Sequence, residues 1–158
     1  MTRKFPSLPN PPDLSDVFLK FRHGAKPLLE LHDIVLRGES PFTAGEREMI
    51  AAHVSGINAC DYCYGAHTSI ASAFGIDKNL FDEMQNDLDN SNVPEKLKPV
   101  LTYAAKLTTT PSRVTSSDAQ AVYDAGWDER ALYDAITVCA LFNFMNRLVE
   151  GNRVLAHC

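Results

Sequence analysis

The sequence predicts an all-α protein, a helical bundle. Three observations carry that expectation. Apolar residues recur at i, i+3, i+4 and i+7 in one segment after another, residues that start and stop helices bracket those segments, and no stretch keeps the alternating period of a strand. A chain of 158 residues is long enough for one domain that buries about 68–70% of its unfolded surface. The expected division is an extended proline-rich arm over 1–12 and a single helical domain over 13–158.

The elements follow in order. Pro6, Pro9, Pro11 and Pro12 keep the arm out of helix, because proline lacks an N–H and crowds the preceding turn. Helix one is expected from Leu14 to Arg22, on a stripe of Leu14, Val17, Phe18 and Phe21, with Gly24 as its stop. Helix two starts at Pro27, a good first-turn residue, and ends at Gly38; Leu28, Leu31 and Val35 form its stripe. Helix three opens at Thr43-Ala44-Gly45-Glu46, the Thr-x-x-Glu spacing of a capping box, and runs to Ile57. Met49, Ile50, His53, Val54 and Ile57 make its broad face. Glu48, Ala51, Ala52 and Ser55 make a second face whose small side chains let another helix approach and enclose Glu48.

Helix four carries Cys60, Cys63 and His67 and continues through Ile70, Ala73 and Phe74 to Gly75. Asp77 caps a short helix to Asp87, Asp89 to Val93 is turn-like, and Pro94 begins a helix with Leu97, Val100, Leu101, Ala104 and Ala105 inward. A loop over 108–113 precedes Thr115-Ser116-Ser117-Asp118, a second capping-box-like start for a helix closed by Gly126. Asp128 caps the last helix, expected to run to Glu150. That helix is apolar nearly all round, so it is either central in the core or half-buried in a subunit interface. Its polar residues Asn143, Asn146 and Arg147 need partners and predict a hydrogen-bond network. Gly75-Ile76-Asp77 and Gly126-Trp127-Asp128 share one grammar, which fits a worn helical repeat or converged cap chemistry equally.

Composition narrows the function classes. Hydrophobic content of 45% with 22% charged residues is ordinary for a soluble globular protein. A net charge of −5 with no basic run argues against nucleic acid or an anionic membrane as partner. The most apolar stretch, Val138 to Met145, falls far short of the roughly 20 residues that span a bilayer. Met1 to Pro12 has no apolar core of a secretory signal, so the expected location is the cytoplasm. There, four cysteines do not read as two structural disulfides. Cys139 falls in a continuous apolar helix, as a buried inert thiol would, and Cys158 ends the chain.

Chemistry concentrates in Cys60-Asp61-Tyr62-Cys63-Tyr64-Gly65-Ala66-His67. On one helix, rising about 1.5 Å per residue, the two Cys Cα atoms would lie roughly 5 Å apart, inside the disulfide window of about 4.4–6.8 Å. Cys63 and His67 are i,i+4 neighbours, close enough for the imidazole to take the thiol proton. His67 is two turns from Cys60 and assists only Cys63 directly. Glu48, enclosed on its small-residue face, is placed to orient His67 and accept its proton, as a carboxylate behind an imidazole does in other nucleophile systems. Tyr62 and Tyr64 read as packing residues. Two other readings of the cysteines remain: a buried pair of structural thiols, and a zinc site of Cys60, Cys63, His67 and a fourth ligand such as His53, for which no second ligand pair is present.

Glu48, Cys60, Cys63 and His67, spaced as E-x11-C-x-x-C-x3-H after the Thr-capped segment GEREMIAAHVSG, resemble the AhpD-like alkylhydroperoxidase group of the carboxymuconolactone decarboxylase superfamily. LTYAAKLTTTPSRVT and ALFNFMNRLVEG look like its peroxidase-related branch, so the resemblance covers about residues 40–150. It implies an all-helical fold, assembly into trimers or hexamers, and thiol-dependent reduction of peroxides without flavin, haem or metal. It also implies roles: Cys63 attacks the peroxide, Cys60 resolves the product, and Glu48 with His67 relays the proton. No bound cofactor is then expected; the partners are a peroxide substrate and an external dithiol donor, lipoyl- or thioredoxin-like. The best-studied members carry a second histidine between the cysteines, where this chain has Tyr62. The alternatives are a lyase of the decarboxylase type, in which a dithiol has no use, and a non-enzymatic thiol redox sensor or binding module.

Overall fold

A computed structural model describes residues 5–155. Among these the chain forms eight α-helices and no strand: α1 (Leu14–Lys20), α2 (Ala25–Arg37), α3 (Ala44–Ile57), α4 (Asp61–Ala73), α5 (Asn79–Asp87), α6 (Lys98–Thr109), α7 (Ser116–Asp124) and α8 (Glu129–Asn152). A single 3-10 turn, Pro111–Arg113, lies in the loop between α6 and α7. Residues 5–13 hold turns and bends, with the Leu8 amide closing onto the Phe5 carbonyl at 3.1 Å. Cys158 lies outside the described residues.

Local chemistry explains where the helices begin. The Glu46 amide donates to Thr43 Oγ1 at 3.2 Å and the Thr43 amide to Glu46 Oε2 at 2.8 Å, which completes the capping box of α3. The Thr115 amide donates to Asp118 at 2.7 Å at the start of α7, and Asp128 accepts from the Ala131 amide at 2.8 Å at the start of α8. Gly75 and Gly126 both turn left-handed, at φ 92° and 91°. In each turn the following residue, Ile76 or Trp127, donates back to the carbonyl of Ala71 or Val122, so the two share one helix-closing geometry.

Several boundaries differ from expectation, among them the start of α5, whose N-cap is Lys78 rather than Asp77. Helix α2 begins two residues before Pro27, because first-turn N–H groups have no intrahelical partner and a proline among them loses nothing. Pro94 heads a turn closed by the Leu97 amide at 2.8 Å, and α6 proper starts at Lys98 with Pro99 in its first turn. Helix α1 stops at Lys20, short of Arg22. Helix α8 passes through Gly151 and is closed by Arg153 at φ 57°.

Helix α3 is the centre of the bundle. Every residue from Arg47 to Ser55 is buried, and the helix packs against α2, α4, α5, α6 and α8. The buried Arg47 donates through Nη1 to the carbonyls of Val35 at 3.1 Å and Gly38 at 2.8 Å, satisfying the open end of α2. Within one chain the last helix is central in the core: α8 packs on α2, α3, α4, α6 and α7 and leaves Tyr133 and Phe144 outward. A second, smaller apolar cluster unites Leu8, Val17, Val149 and Val154 with Cys60 and Cys63. The arm, α1 and the end of α8 thus roof the dithiol.

Candidate active site

The chain leaves α3 through Asn58 and Ala59, the latter left-handed at φ 52°. A non-glycine residue there costs roughly 1–2 kcal/mol. The turn redirects the backbone so that Cys60 is not inside a helix, as the spacing had suggested; it is the N-cap of α4, at φ −93° and ψ 89°. Cys63 therefore occupies the third position of α4, in the turn whose free N–H groups favour a negative charge. The two sulfurs lie 2.8 Å apart, with Cys60 Sγ donating to Cys63 Sγ. Both thiols are free and buried.

The two thiols differ in acidity. The donated Cys60 S–H pulls the Cys63 thiol below its ordinary range; burial opposes this and the Asn146 amide reinforces it. The same bond, with burial, holds Cys60 in the protonated form. Asn146 can face Cys63 only one way. Asn58 Nδ2 donates to Asn146 Oδ1 at 2.9 Å and to Asn143 Oδ1 at 3.1 Å, so the Asn146 oxygen is committed. Asn146 Nδ2 donates to Ser55 Oγ at 2.9 Å, and that hydroxyl itself donates to the Ala51 carbonyl at 2.7 Å. The remaining amide hydrogen of Asn146 is the one available to the sulfur.

One turn along α4, His67 Nδ1 meets Glu48 Oε2 at 2.5 Å. Glu48 is fully buried, as the small-residue face of α3 predicted, and its other oxygen pairs with Arg37 Nη2 from α2 at 2.5 Å. Burial pushes the Glu48 carboxyl up, but the hydrogen bond and charge of His67, and then of Arg37, outweigh it and hold the group below the usual carboxylate range. The His67 ring stands edge-on to Phe142, with centroids 4.4 Å apart, and His32 of α2 lies 6.0 Å from it. Burial and the neighbouring His67 lower the His32 pKa.

The four sequence-predicted residues thus form two contacting pairs, Cys60 with Cys63 and Glu48 with His67. Among the described residues no hydrogen bond joins His67 to a thiol, so a transfer between Cys63 and His67 needs a side-chain rotation or an intervening water. His53 is no part of the site. It is buried, neither ring nitrogen has a hydrogen-bond partner, and burial pushes its pKa down to about 4. Among the described residues no group of three or more His, Cys, Asp or Glu side chains is disposed to hold a metal ion. None of their helices is long and apolar enough to cross a membrane.

The sequence reading flagged Asn143, Asn146 and Arg147 as a network, and the structure contains it. It did not find Arg37, His32 or Asn58. Each sits on a face whose partner only the tertiary fold supplies. Glu150 is exposed on the last turns of α8 and lines a pocket of about 240 Å³ with Asn58, Asn146 and Arg147.

Residues 24–84 match the carboxymuconolactone decarboxylase family, and Glu48, Cys60, Cys63 and His67 all lie within that span. The fold is similar to that of an uncharacterised peroxidase-related protein from Silicibacter sp. TM1040, with a TM-score of 0.82, 24% identity, and 90% of this chain and 76% of that one covered. It is similar to the alkylhydroperoxidase AhpD core of a peroxidase-related protein from Ralstonia eutropha JMP134, with a TM-score of 0.84, 22% identity, and 90% and 75% covered. The debrominase Bmp8 is also similar in fold, with a TM-score of 0.77, 16% identity, and 89% and 75% covered. No curated protein sequence matches the chain. The family match covers the segment that bears the site, less than half of the chain, and the solved structures show the helical fold that the chain shares with them.

Proposed function

We propose that the protein is a thiol-dependent peroxidase that cycles between a Cys60/Cys63 dithiol and a disulfide. The observation that carries this reading is the sulfur pair at the first turn of α4, 2.8 Å apart, with Cys63 the more acidic. The thiolate is the nucleophilic form, and the donors around Cys63 favour it. Cys63 attacks one peroxide oxygen, the O–O bond breaks, and Cys63 becomes a sulfenic acid. Glu48 and His67 supply the proton that turns the departing alkoxide or hydroxide into an alcohol or water. Cys60 then attacks the Cys63 sulfur, water leaves, and a disulfide forms. An external dithiol, lipoyl- or thioredoxin-like, restores the thiols by exchange.

The reading includes a cytoplasmic homo-oligomer, a trimer or hexamer. Leu29, Leu31 and Ile34 of α2 and Phe144 of α8, all exposed, give apolar surface for such contacts. A lyase would have no use for a dithiol, and a sensor would form the disulfide without turning over. Steady-state peroxide reduction with a panel of dithiol donors separates these. Turnover with one donor is the expected result; a disulfide that forms but is reduced by none of them would favour the sensor.

A further inference from the structure

Glu48 is fully buried, and each of its oxygens is met from a different helix: Oε2 by His67 Nδ1 of α4 and Oε1 by Arg37 Nη2 of α2, both at 2.5 Å. A carboxylate taken out of water keeps its charge only against a partner of opposite charge. The two partners differ in kind. A guanidinium is a permanent cation, whereas an imidazole gains and loses its charge near neutral pH. Arg37 is also anchored. It is the last residue of α2, its Nη1 donates to the Leu36 carbonyl at 3.0 Å, and its guanidinium lies 4.9 Å over the Phe74 ring at the end of α4. From this arrangement we infer that Arg37 is a positioning residue of the relay: it supplies the counter-charge of Glu48, so that His67 is left uncharged between turnovers with Nε2 open to a proton. The inference deepens the peroxidase reading and rests on it for the reaction served.

The other ionisable groups around the pair do not replace this cation. Arg47 of α3 is committed to the Val35 and Gly38 carbonyls, and Asp134 of α8, which faces Arg47, is paired with Arg130. His32 of α2, beside Asp33, has its pKa lowered by burial and by His67, so it brings no lasting charge. Cys63 of α4 is bonded to Cys60 and not to His67. Among the described residues Arg37 is thus the one permanent cation in contact with Glu48. With Arg37 in place, Glu48 is ionised and balanced, and it accepts the Nδ1–H of a neutral ring. The lone pair on Nε2 then takes the proton that leaves Cys63, after a rotation or through a water, and passes it to the departing oxygen. Without Arg37 the buried anion is balanced by a second proton on the imidazole, or takes up a proton itself and donates it to Nδ1. Either way Nε2 carries a hydrogen and has no lone pair to offer.

The test follows the His67 ring by nitrogen NMR in the full chain, as wild type, Arg37→Gln and Arg37→Lys, with no peroxide present. Peroxide consumption is then timed against pH in the same three proteins. The expected result in the wild type at neutral pH is a bare Nε2. In Arg37→Gln that nitrogen carries a hydrogen at neutral pH and loses it about one to three pH units higher than in the wild type. Attack at neutral pH slows about tenfold in this variant and recovers as the pH is raised. Arg37→Lys, which keeps the charge without the planar fork, should lie closer to the wild type in both measurements. A slowed attack that higher pH does not restore would show a merely structural role and overturn the proposal. So would a protonated Nε2 in the wild type at neutral pH, an unmoved titration in Arg37→Gln, or an Arg37→Lys no nearer to wild type than Arg37→Gln. If Arg37→Gln does not fold, the wild-type spectrum decides by itself. Ring titrations that behave as expected in a protein that consumes no peroxide would remove the peroxidase reading and leave this one standing.

Discussion

Cys139 in the middle of α8 and Cys63 in the first turn of α4 are both buried thiols with hydrogen-bond donors nearby, and their acidities move in opposite directions. Cys139 lies near Thr108 Oγ1 at 3.3 Å and Asn143 Nδ2 at 3.5 Å, yet burial dominates and pushes it up. Its position inside a helix leaves every nearby backbone N–H committed to the ladder. Cys63 sits where α4 has N–H groups to spare, against a second thiol and the amide of Asn146, which keeps one hydrogen beyond the one it gives to Ser55. Burial alone therefore does not make a cysteine inert. The open helix end and the donors around Cys63 separate the more acidic thiol from the less acidic one.

The largest expected effect tests that separation directly. Cys63→Ser should abolish peroxide consumption, whereas Cys139→Ser should leave it within about twofold of wild type, since its sulfur enters no step. A comparable loss in both would break the comparison. Next come Glu48→Gln and His67→Gln, each expected to slow the attack by about 10²–10⁴ while leaving the disulfide able to form with other oxidants. Stopped-flow peroxide consumption measures this, and an unchanged attack rate in either variant would remove the relay.

The third prediction concerns stability. His53 is neutral in the fold, with its pKa lowered from 6.5 to about 4, while the unfolded chain takes up a proton near 6.5. Its contribution is thus fully present above pH 6.5 and is lost as the pH falls towards 4, a loss of at most about 3 kcal/mol. His53→Leu should flatten the acid limb of the denaturation profile over that range; a limb of unchanged steepness would assign the acid sensitivity to other groups. The smallest effect is on the amide. Asn146→Ala should raise the Cys63 pKa and slow attack about tenfold at neutral pH, with about 1–3 kcal/mol of stability lost because Asn58 and Ser55 lose a partner. Thiolate ultraviolet absorbance against pH reads it, and an unshifted titration would show that the amide does not act on the sulfur.

Much of this was legible in the residues, for identifiable reasons. The helix starts at Thr43, Thr115 and Asp128 were readable because a cap is a local contract between residues three apart. The burial of Glu48 followed from the small side chains at Ala51, Ala52 and Ser55 around it. The position of Cys60 was not readable, since its exclusion from α4 depends on Ala59 adopting a left-handed conformation that glycine, not alanine, ordinarily signals. Arg37 was hidden for another reason. It is an unremarkable charge on a helix end, and only packing of α2 on α3 gives it a partner.

The central claim is that Cys63 attacks and Cys60 resolves. The most direct measurement exposes Cys60→Ser and Cys63→Ser to one equivalent of peroxide in the presence of a sulfenic-acid trap and locates the adduct by mass spectrometry. The account predicts one equivalent consumed and the adduct on Cys63 in the first variant, with almost no consumption in the second. An adduct on Cys60 in Cys63→Ser, formed at close to the wild-type rate, would contradict it.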